Sequence, residues 1–198
     1  MRQLFYPRSL VVVGVSEAED NLGRNIIGNL QNYGFRGEIY AVGPRGREVL
    51  GIPIHRSIAE LPERVDLAIV LTPARAIAEI MVECGEKGIR WAVIESGGFG
   101  ESGSEGESLQ DKVLEICARY GIRFIGPNCI GIVHTTQGIY TPFIPLPSGF
   151  KSGRVSGFAQ SGGMSLSLAE RLSSWGVGVN KLVSMGNKLS LDEADYLS

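Results

Sequence analysis

The sequence predicts an α/β fold: a doubly wound parallel sheet followed by the start of a second α/β unit. Three observations carry that expectation. Short β-branched runs alternate with amphipathic helical segments through about residue 130. Many of the 27 glycines sit at the ends of apolar runs, where a strand must turn sharply into a helix. After a proline-rich break, the strand–helix rhythm restarts at residue 154.

The elements follow in order. "SLVVVGVS" (9–16) is a short β-branched run ending near Gly14, the pattern of a buried parallel strand. Residues 24–34 carry Ile26, Ile27, Leu30 and Tyr33 at helical spacing, and Gly34 can cap them. "EIYAVGP" (38–44) is a second strand and "VDLAIVLTP" (65–73) a third. Residues 74–88 form a helix with Ile77, Ile80, Met81 and Cys84 on one face and Gly88 as a stop. "RWAVIESGG" (90–98) is a fourth strand, and 105–121 a helix with Leu109, Val113, Cys117 and Tyr120 on one stripe. "IRFIGPN" (122–128) is the fifth strand. Right-handed crossovers then give a Rossmann-like domain over 1–130. Residues 131–153 hold Pro142, Pro145 and Pro147 and read as a connector. From 154 a strand (154–160), a helix (163–176), a strand (181–186) and the beginning of a helix (191–198) read as an incomplete second, flavodoxin-like unit. So few elements cannot bury both faces of a parallel sheet, so this unit is expected to need further chain or a partner.

The bulk numbers exclude several classes of function. The chain has 198 residues, is 43% hydrophobic and 20% charged, and carries a net charge of −2. That balance fits an ordinary globular protein and gives no pull toward nucleic acid. No apolar run reaches the roughly 18 residues of a membrane span. The start, "MRQLFYPRSLVVVGVS", runs straight into a strand and lacks the cleavage pattern of a signal peptide. Cys84, Cys117 and Cys129 are widely spaced and read as free thiols in a reducing cytoplasm. No Cys/His spacing fits a metal site.

In a doubly wound sheet, ligands bind at the carboxyl ends of the strands. The residues there are Gly14-Val15-Ser16, Pro44-Arg45, Thr72-Pro73, Glu95-Ser96-Gly97-Gly98 and Pro127-Asn128. The first turn is not G-x-G-x-x-G: Ser16 stands where the second glycine belongs, and Gly23 comes late. Glu17, Glu19 and Asp20 would repel a phosphate unless they point to solvent. After the second strand an NAD site wants a carboxylate, whereas this chain offers Arg45 and Arg47. A cation there suits a phosphorylated ribose, as in NADP or coenzyme A, and equally suits a solvated turn.

In "GFAQSGGM", Ser161 stands between a strand and a helix. That layout is close to a hydrolase nucleophile elbow. It also fits an anion cradle made by the hydroxyl and backbone N–H groups of Ser161, Gly162 and Gly163 at a helix N-terminus, or a plain N-cap. A nucleophile needs a base, and the two histidines are His55 and His134. His134 precedes the proline-rich connector without a carboxylate nearby, so the cradle is the favoured reading. Asp192 and Glu193 open the last helix as ordinary dipole partners.

The ordered set "GVS…LG", "VGPRG", "VDLAIVLTPA", "AVIESGGFGE", "GIRFIGPNCIG" and "GFAQSGGM…SMGNKLSLDEADYL" resembles the CoA-binding half of the NDP-forming acyl-CoA synthetases. These are enzymes of the ADP-forming acetate–CoA ligase type, relatives of the succinyl-CoA synthetase α subunit. The resemblance runs over essentially the whole chain. It implies coenzyme A or acyl-CoA as the bound cofactor, with the first turn at Gly14, Ser16 and Gly23 lying at its phosphates. Arg45, beside Pro44, matches the basic position that meets the phosphorylated ribose. By the same resemblance Thr72 and Pro73 would pack near adenine, Ser96 and Gly97 would line the pantetheine route, and Asn128 would stand at the entrance to the thiol end. Ser161 and Gly162, with Gly163, match the helix N-terminus that faces a phosphohistidine.

In that family, an acid, CoA and a nucleoside triphosphate give acyl-CoA, NDP and phosphate through an acyl phosphate and a phosphorylated histidine. Neither His55 nor His134 matches the family's histidine, so no catalytic residue is carried over to this chain. The nucleotide-grasp portion, a further domain or a β-type subunit, is the expected partner and the place where NTP and NDP bind. A homo-oligomer is compatible with the chain. Alone, the chain is expected to hold CoA without turnover. A different class, a non-catalytic CoA- or nucleotide-sensing module that regulates an enzyme such as an acyltransferase, stands as the alternative, and an NADP-binding domain as the third.

Overall fold

A computed structural model describes residues 1–62, 64–146 and 148–197. Pro147 of the expected connector lies outside the described residues. The first unit runs α1 (Arg2–Phe5), β1 (Ser9–Val13), α2 (Leu22–Asn32), β2 (Glu38–Val42), β3 (Glu48–Val49), β4 (Ile52–His55), β5 (Leu67–Val70), α3 (Ala74–Lys87), β6 (Trp91–Ile94), α4 (Ser104–Tyr120) and β7 (Arg123–Ile125). All five strands and three helices expected from the sequence are present. Single 3₁₀ turns add Ile58–Glu60 and Gly100–Ser102.

The seven strands lie in the order β3-β4-β2-β1-β5-β6-β7. Only β3 is antiparallel to its neighbour. Numbering the six parallel strands by chain order gives 3-2-1-4-5-6, the order of the doubly wound dinucleotide fold. The sequence reading lacks the two-residue β3 and the parallel β4. β4 is four residues long and contains Pro53, which weakens any strand pattern.

Continuous apolar runs bury β1 and β5 on both faces, as parallel strands require. On one face, α3 and α4 bring Ile77, Met81, Val113 and Cys117 against Val11, Val70 and Ile94. On the other, α2 brings Ile26, Ile27 and Leu30 against Leu10, Val12 and Ile69. Left-handed Gly88 and Gly121 end α3 and α4. The three cysteines are free and buried.

Residues 131–153 are not only a connector. They hold β8 (Ile132–His134) and β9 (Ile139–Tyr140), which pair with each other. The chain continues as β10 (Ser152–Ala159), α5 (Gly162–Ser174), β11 (Val179–Ser184) and α6 (Glu193–Leu197). A four-stranded sheet results, in the order β10-β11-β8-β9, parallel only between β10 and β11. Ile132, Ile139, Val183 and Met185 of this second unit share one core with β1 and α2. Polar side chains of α2 reinforce the join: Asn29 Nδ2 donates to the Pro142 and Ile144 carbonyls at 2.8 and 2.9 Å, and the Tyr33 hydroxyl to Leu146 O at 2.6 Å. Among the described residues no helix is long and apolar enough to cross a membrane.

Candidate functional site

The carboxyl ends of β1, β2 and β5 converge on a cleft of about 610 Å³. Two glycines let the backbones meet there. Gly14 leaves β1 at φ +103°, and a Cβ on it would stand 2.0 Å from Leu71 O. A Cβ on Gly43 would stand 1.9 Å from Val15 O. The N–H groups of Gly14 and Val15 both donate to Val42 O, at 2.9 and 3.1 Å, so the first turn is stitched to the end of β2.

Asn21 fixes the rest of that turn. It is the N-cap of α2, and its Oδ1 accepts from Arg24 N at 2.9 Å and Ser16 N at 3.2 Å. Its Nδ2 donates to Gly14 O at 3.1 Å. The three bonds fold residues 14–21 around the start of α2 and leave a hollow of about 340 Å³ lined by Gly14, Ser16 and Gly23. Glu17 turns aside: its Oε1 accepts from Arg47 N at 2.7 Å. Backbone donation from Arg47, then from Glu48, holds the Glu17 carboxyl below its ordinary range.

The larger cleft has apolar walls from Val42, Ile58, Leu71 and Ile80. Gly14, Pro44, Thr72 and Pro73 line it, as do Arg56 and, from α3, Glu79 and Glu83. The buried Thr72 Oγ1 has no hydrogen-bond partner among the described residues. Arg45 is exposed on the turn beyond Pro44. Ser96 is buried, and its Oγ accepts from Thr72 N at 2.9 Å, locking the ends of β5 and β6 together.

A second cluster lies past β6 and β7, where the two units meet. Asn128 has a left-handed φ of +58° and donates its N–H to Ser96 O at 2.9 Å. A Cβ on the exposed Gly97 would stand 3.3 Å from both Asn128 Oδ1 and Glu101 Oε1. Glu101 Oε1 accepts from Gly98 N at 2.7 Å and Phe99 N at 3.2 Å, while its Oε2 accepts from Asn187 Nδ2 at 2.6 Å. Those donors outweigh its partial burial and lower its pKa. Asn128 reaches Asn187 Oδ1 at 3.5 Å. Ser161 is the N-cap of α5, with Met164 N at 3.5 Å from its Oγ, and Gly162 packs on Ile130 just past Asn128.

The histidines do not serve Ser161. His134 is buried; its Nδ1 lies 2.9 Å from Phe5 O and its Nε2 3.1 Å from Thr136 Oγ1, so both ring nitrogens are engaged elsewhere. Burial, more than any neighbour, lowers its pKa. His55 ends β4. The nucleophile-elbow reading therefore loses its base.

Comparison with known families agrees with this geometry. The family model described as a CoA binding domain matches residues 8–135. The chain belongs to the CoA-binding domain family. A second model, a succinyl-CoA ligase like flavodoxin domain, matches residues 152–198. The chain is 41% identical, over its full length, to acetate–CoA ligase [ADP-forming] I of Archaeoglobus fulgidus, of which it spans 28%. It is 37% identical, over 98% of its length, to the α subunit of acetate–CoA ligase [ADP-forming] II of Pyrococcus furiosus, of which it spans 41%. The solved dinucleotide forming acetyl-coenzyme A synthetase 1 of Ca. Korarchaeum cryptofilum superposes with a TM-score of 0.93 at 31% identity, over 99% of this chain and 42% of that one. The chain thus spans less than half the length of each of these relatives.

Within this CoA-binding domain, sequence reasoning overlooked several residues. Asn21 carried a signal, an N-cap type directly before a helix. Arg56 carried none, because the strand that positions it was not recognised. Glu101 and Asn187 are far apart in sequence and meet only in the fold. Glu95 is the fifth; it stands among the strand-end residues in the sequence, with no role assigned to it there. Its carboxyl is buried, and neither oxygen has a hydrogen-bond partner of good geometry. Burial raises its pKa well above the ordinary value; the nearby Thr141 hydroxyl, itself bonded to the Ile132 backbone, opposes this less.

Proposed function

We propose that this chain is the CoA-binding portion of an NDP-forming acyl-CoA synthetase, an enzyme that joins an acid to CoA at the expense of a nucleoside triphosphate. The observation that carries the reading is the cleft where β1, β2 and β5 end. Its backbones approach so closely at Gly14 and Gly43 that a Cβ there would collide with the Leu71 and Val15 carbonyls, so bare backbone lines the cleft. Bare backbone against a helix N-terminus is what a pyrophosphate requires. The orphaned Thr72 hydroxyl offers a further polar group to a ligand.

In this reading, Gly14, Ser16 and Gly23 take the CoA phosphates and Pro44, Arg45, Thr72 and Pro73 surround the adenosine end. Ser96, Gly97 and Asn128 guide the pantetheine arm toward the second unit. CoA supplies the thiol that accepts the acyl group. At the end of that route Ser161, Gly162 and Gly163 present a hydroxyl, N–H groups and the positive end of α5 to a phosphoryl group. The phosphorylated histidine, NTP and NDP belong to a nucleotide-grasp domain or β-type subunit and to further chain, all within a cytoplasmic enzyme that is free to form homo-oligomers.

Thermal unfolding with CoA, NADPH and NADH added separately tests the reading. CoA should raise the midpoint in a saturable way, since a ligand at 100 times its Kd stabilises by about 2.7 kcal/mol. Stabilisation by a nicotinamide nucleotide without stabilisation by CoA would overturn it.

A further inference from the structure

We propose that Arg56 is the side chain through which this domain reads the phosphate on the ribose of CoA, and that the cleft owes its preference for a phosphorylated ribose to Arg56 rather than to Arg45. The inference rests on the CoA-binding reading above.

Doubly wound folds read the ribose at the end of the second strand, with a carboxylate for bare hydroxyls and an arginine for a phosphate. Here β4 lies alongside β2, with Val42 opposite His55. Arg56 follows at once, so the register brings it beside Gly43 and Pro44. Its Nη1 donates to Pro44 O at 2.6 Å, and its own N–H donates to Glu60 Oε2 at 2.8 Å. A guanidinium has five N–H donors in one plane. One bond to a fixed carbonyl sets that plane and leaves donors for a ligand.

The charge pattern points to the same corner. Both arginines are exposed, but Arg56 lines the cleft, whereas Arg45, on the turn beyond Pro44, does not. That turn already faces a carboxylate, because Glu17 binds Arg47 N at 2.7 Å. Across the cleft, α3 presents Glu79 and Glu83, the latter holding Ile58 N at 2.8 Å. A phosphate is repelled from the α3 wall and drawn to the β2–β4 corner, where Arg56 stands.

Calorimetric binding of CoA and of 3′-dephospho-CoA to the whole chain tests this. The wild type should prefer CoA by roughly 10- to 100-fold, the range of a hydrogen bond to a charged group. Arg56→Ala should bind both ligands equally, and Arg56→Lys should keep part of the preference. Loosening of the 43–47 turn alone would weaken both ligands alike and leave the ratio intact, which overturns the proposal. Wild type that binds CoA without preference also overturns it while sparing the CoA-binding reading. Wild type that binds neither ligand sinks both.

Discussion

The two sheets of this protein speak the same strand–helix grammar and end in different conditions. In the first, β1 and β5 are buried along their whole length, with helices on both faces. In the second, β10 has no fully buried residue, and α5 leaves Met164 64% and Trp175 65% exposed. Arg171 lies over the Trp175 ring at 4.9 Å, which shields it only in part. The inner strands of the second sheet draw on the core of the first through Val183 and Met185. A parallel strand pair is stable only when both faces are covered. The first unit covers its own strands; in the second, α5 packs Leu166 and Ala169 against Val179 and Leu182, but β10 and the outer side of α5 stay open. Residues that shape the first unit should therefore carry large free energies, and equivalent residues of the second small ones.

The sharpest way to break that contrast is to add one methyl group to a glycine in each unit. In Gly14→Ala the new Cβ meets Leu71 O at 2.0 Å, and φ of +103° suits no L side chain. Backbone must move at the centre of the sheet, so we expect a loss above about 4 kcal/mol, in the class of strain at a special backbone conformation. In Gly163→Ala the nearest atom is Ser161 Oγ at 4.0 Å, and the residue lies in the first turn of α5. There the methyl should be neutral or stabilise by up to about 1 kcal/mol through helix propensity. Urea denaturation of the two variants measures the difference. Similar losses in both would show that the second unit is as tightly determined as the first.

A smaller effect tests the seam between the units, where Glu95 lies buried with Cys129 and Thr141 as neighbours. Its folded pKa is raised, so its contribution to stability is complete below the unfolded value near 4.5 and is lost as pH rises. Glu95→Gln keeps the shape and removes the titration. The two proteins should match near pH 4, and the variant should gain on the wild type toward pH 8 by an amount on the order of 1–3 kcal/mol, the cost of a buried polar group left unmet. Parallel stability curves from pH 4 to 8 would mean that the carboxylate is solvated or paired and the seam is wetter than the packing implies.

How far the sequence reveals these features follows from the same contrast. β1, β2, β5, β6 and β7 are legible because each is an uninterrupted apolar run, and their ends deliver Gly14, Thr72 and Asn128 to the site. β4 is hidden by Pro53, and with it Arg56, whose partner Pro44 lies 12 residues back. β8 and β9 are hidden in a stretch rich in Thr, Gly and Pro, where pairing and not composition makes the strand. Glu95 reads as an ordinary strand-end carboxylate until residues 129–141 fold over it. Local pattern fixes elements; long-range neighbours decide what the polar residues do.

The caps of α2 and α5 differ in the same way as the two units. Asn21 and Ser161 are residues of the same capping class at the first turns of α2 and α5. The Asn21 side chain makes three hydrogen bonds, two of them into the 14–16 turn, so it holds both a helix and a loop. The Ser161 side chain makes one, accepting from Met164 N at 3.5 Å, longer than the usual 2.9–3.0 Å. Asn21→Ala should therefore cost about 1–2 kcal/mol, the upper part of the capping range. Ser161→Ala should cost a few tenths of a kcal/mol, since a long bond on an exposed helix contributes little. Differential scanning calorimetry resolves the gap as a fall of several degrees in the midpoint for the first variant and about one degree for the second. Equal shifts would mean that Ser161 is held by more than its own cap. The α5 terminus would then be as firmly built as the first turn.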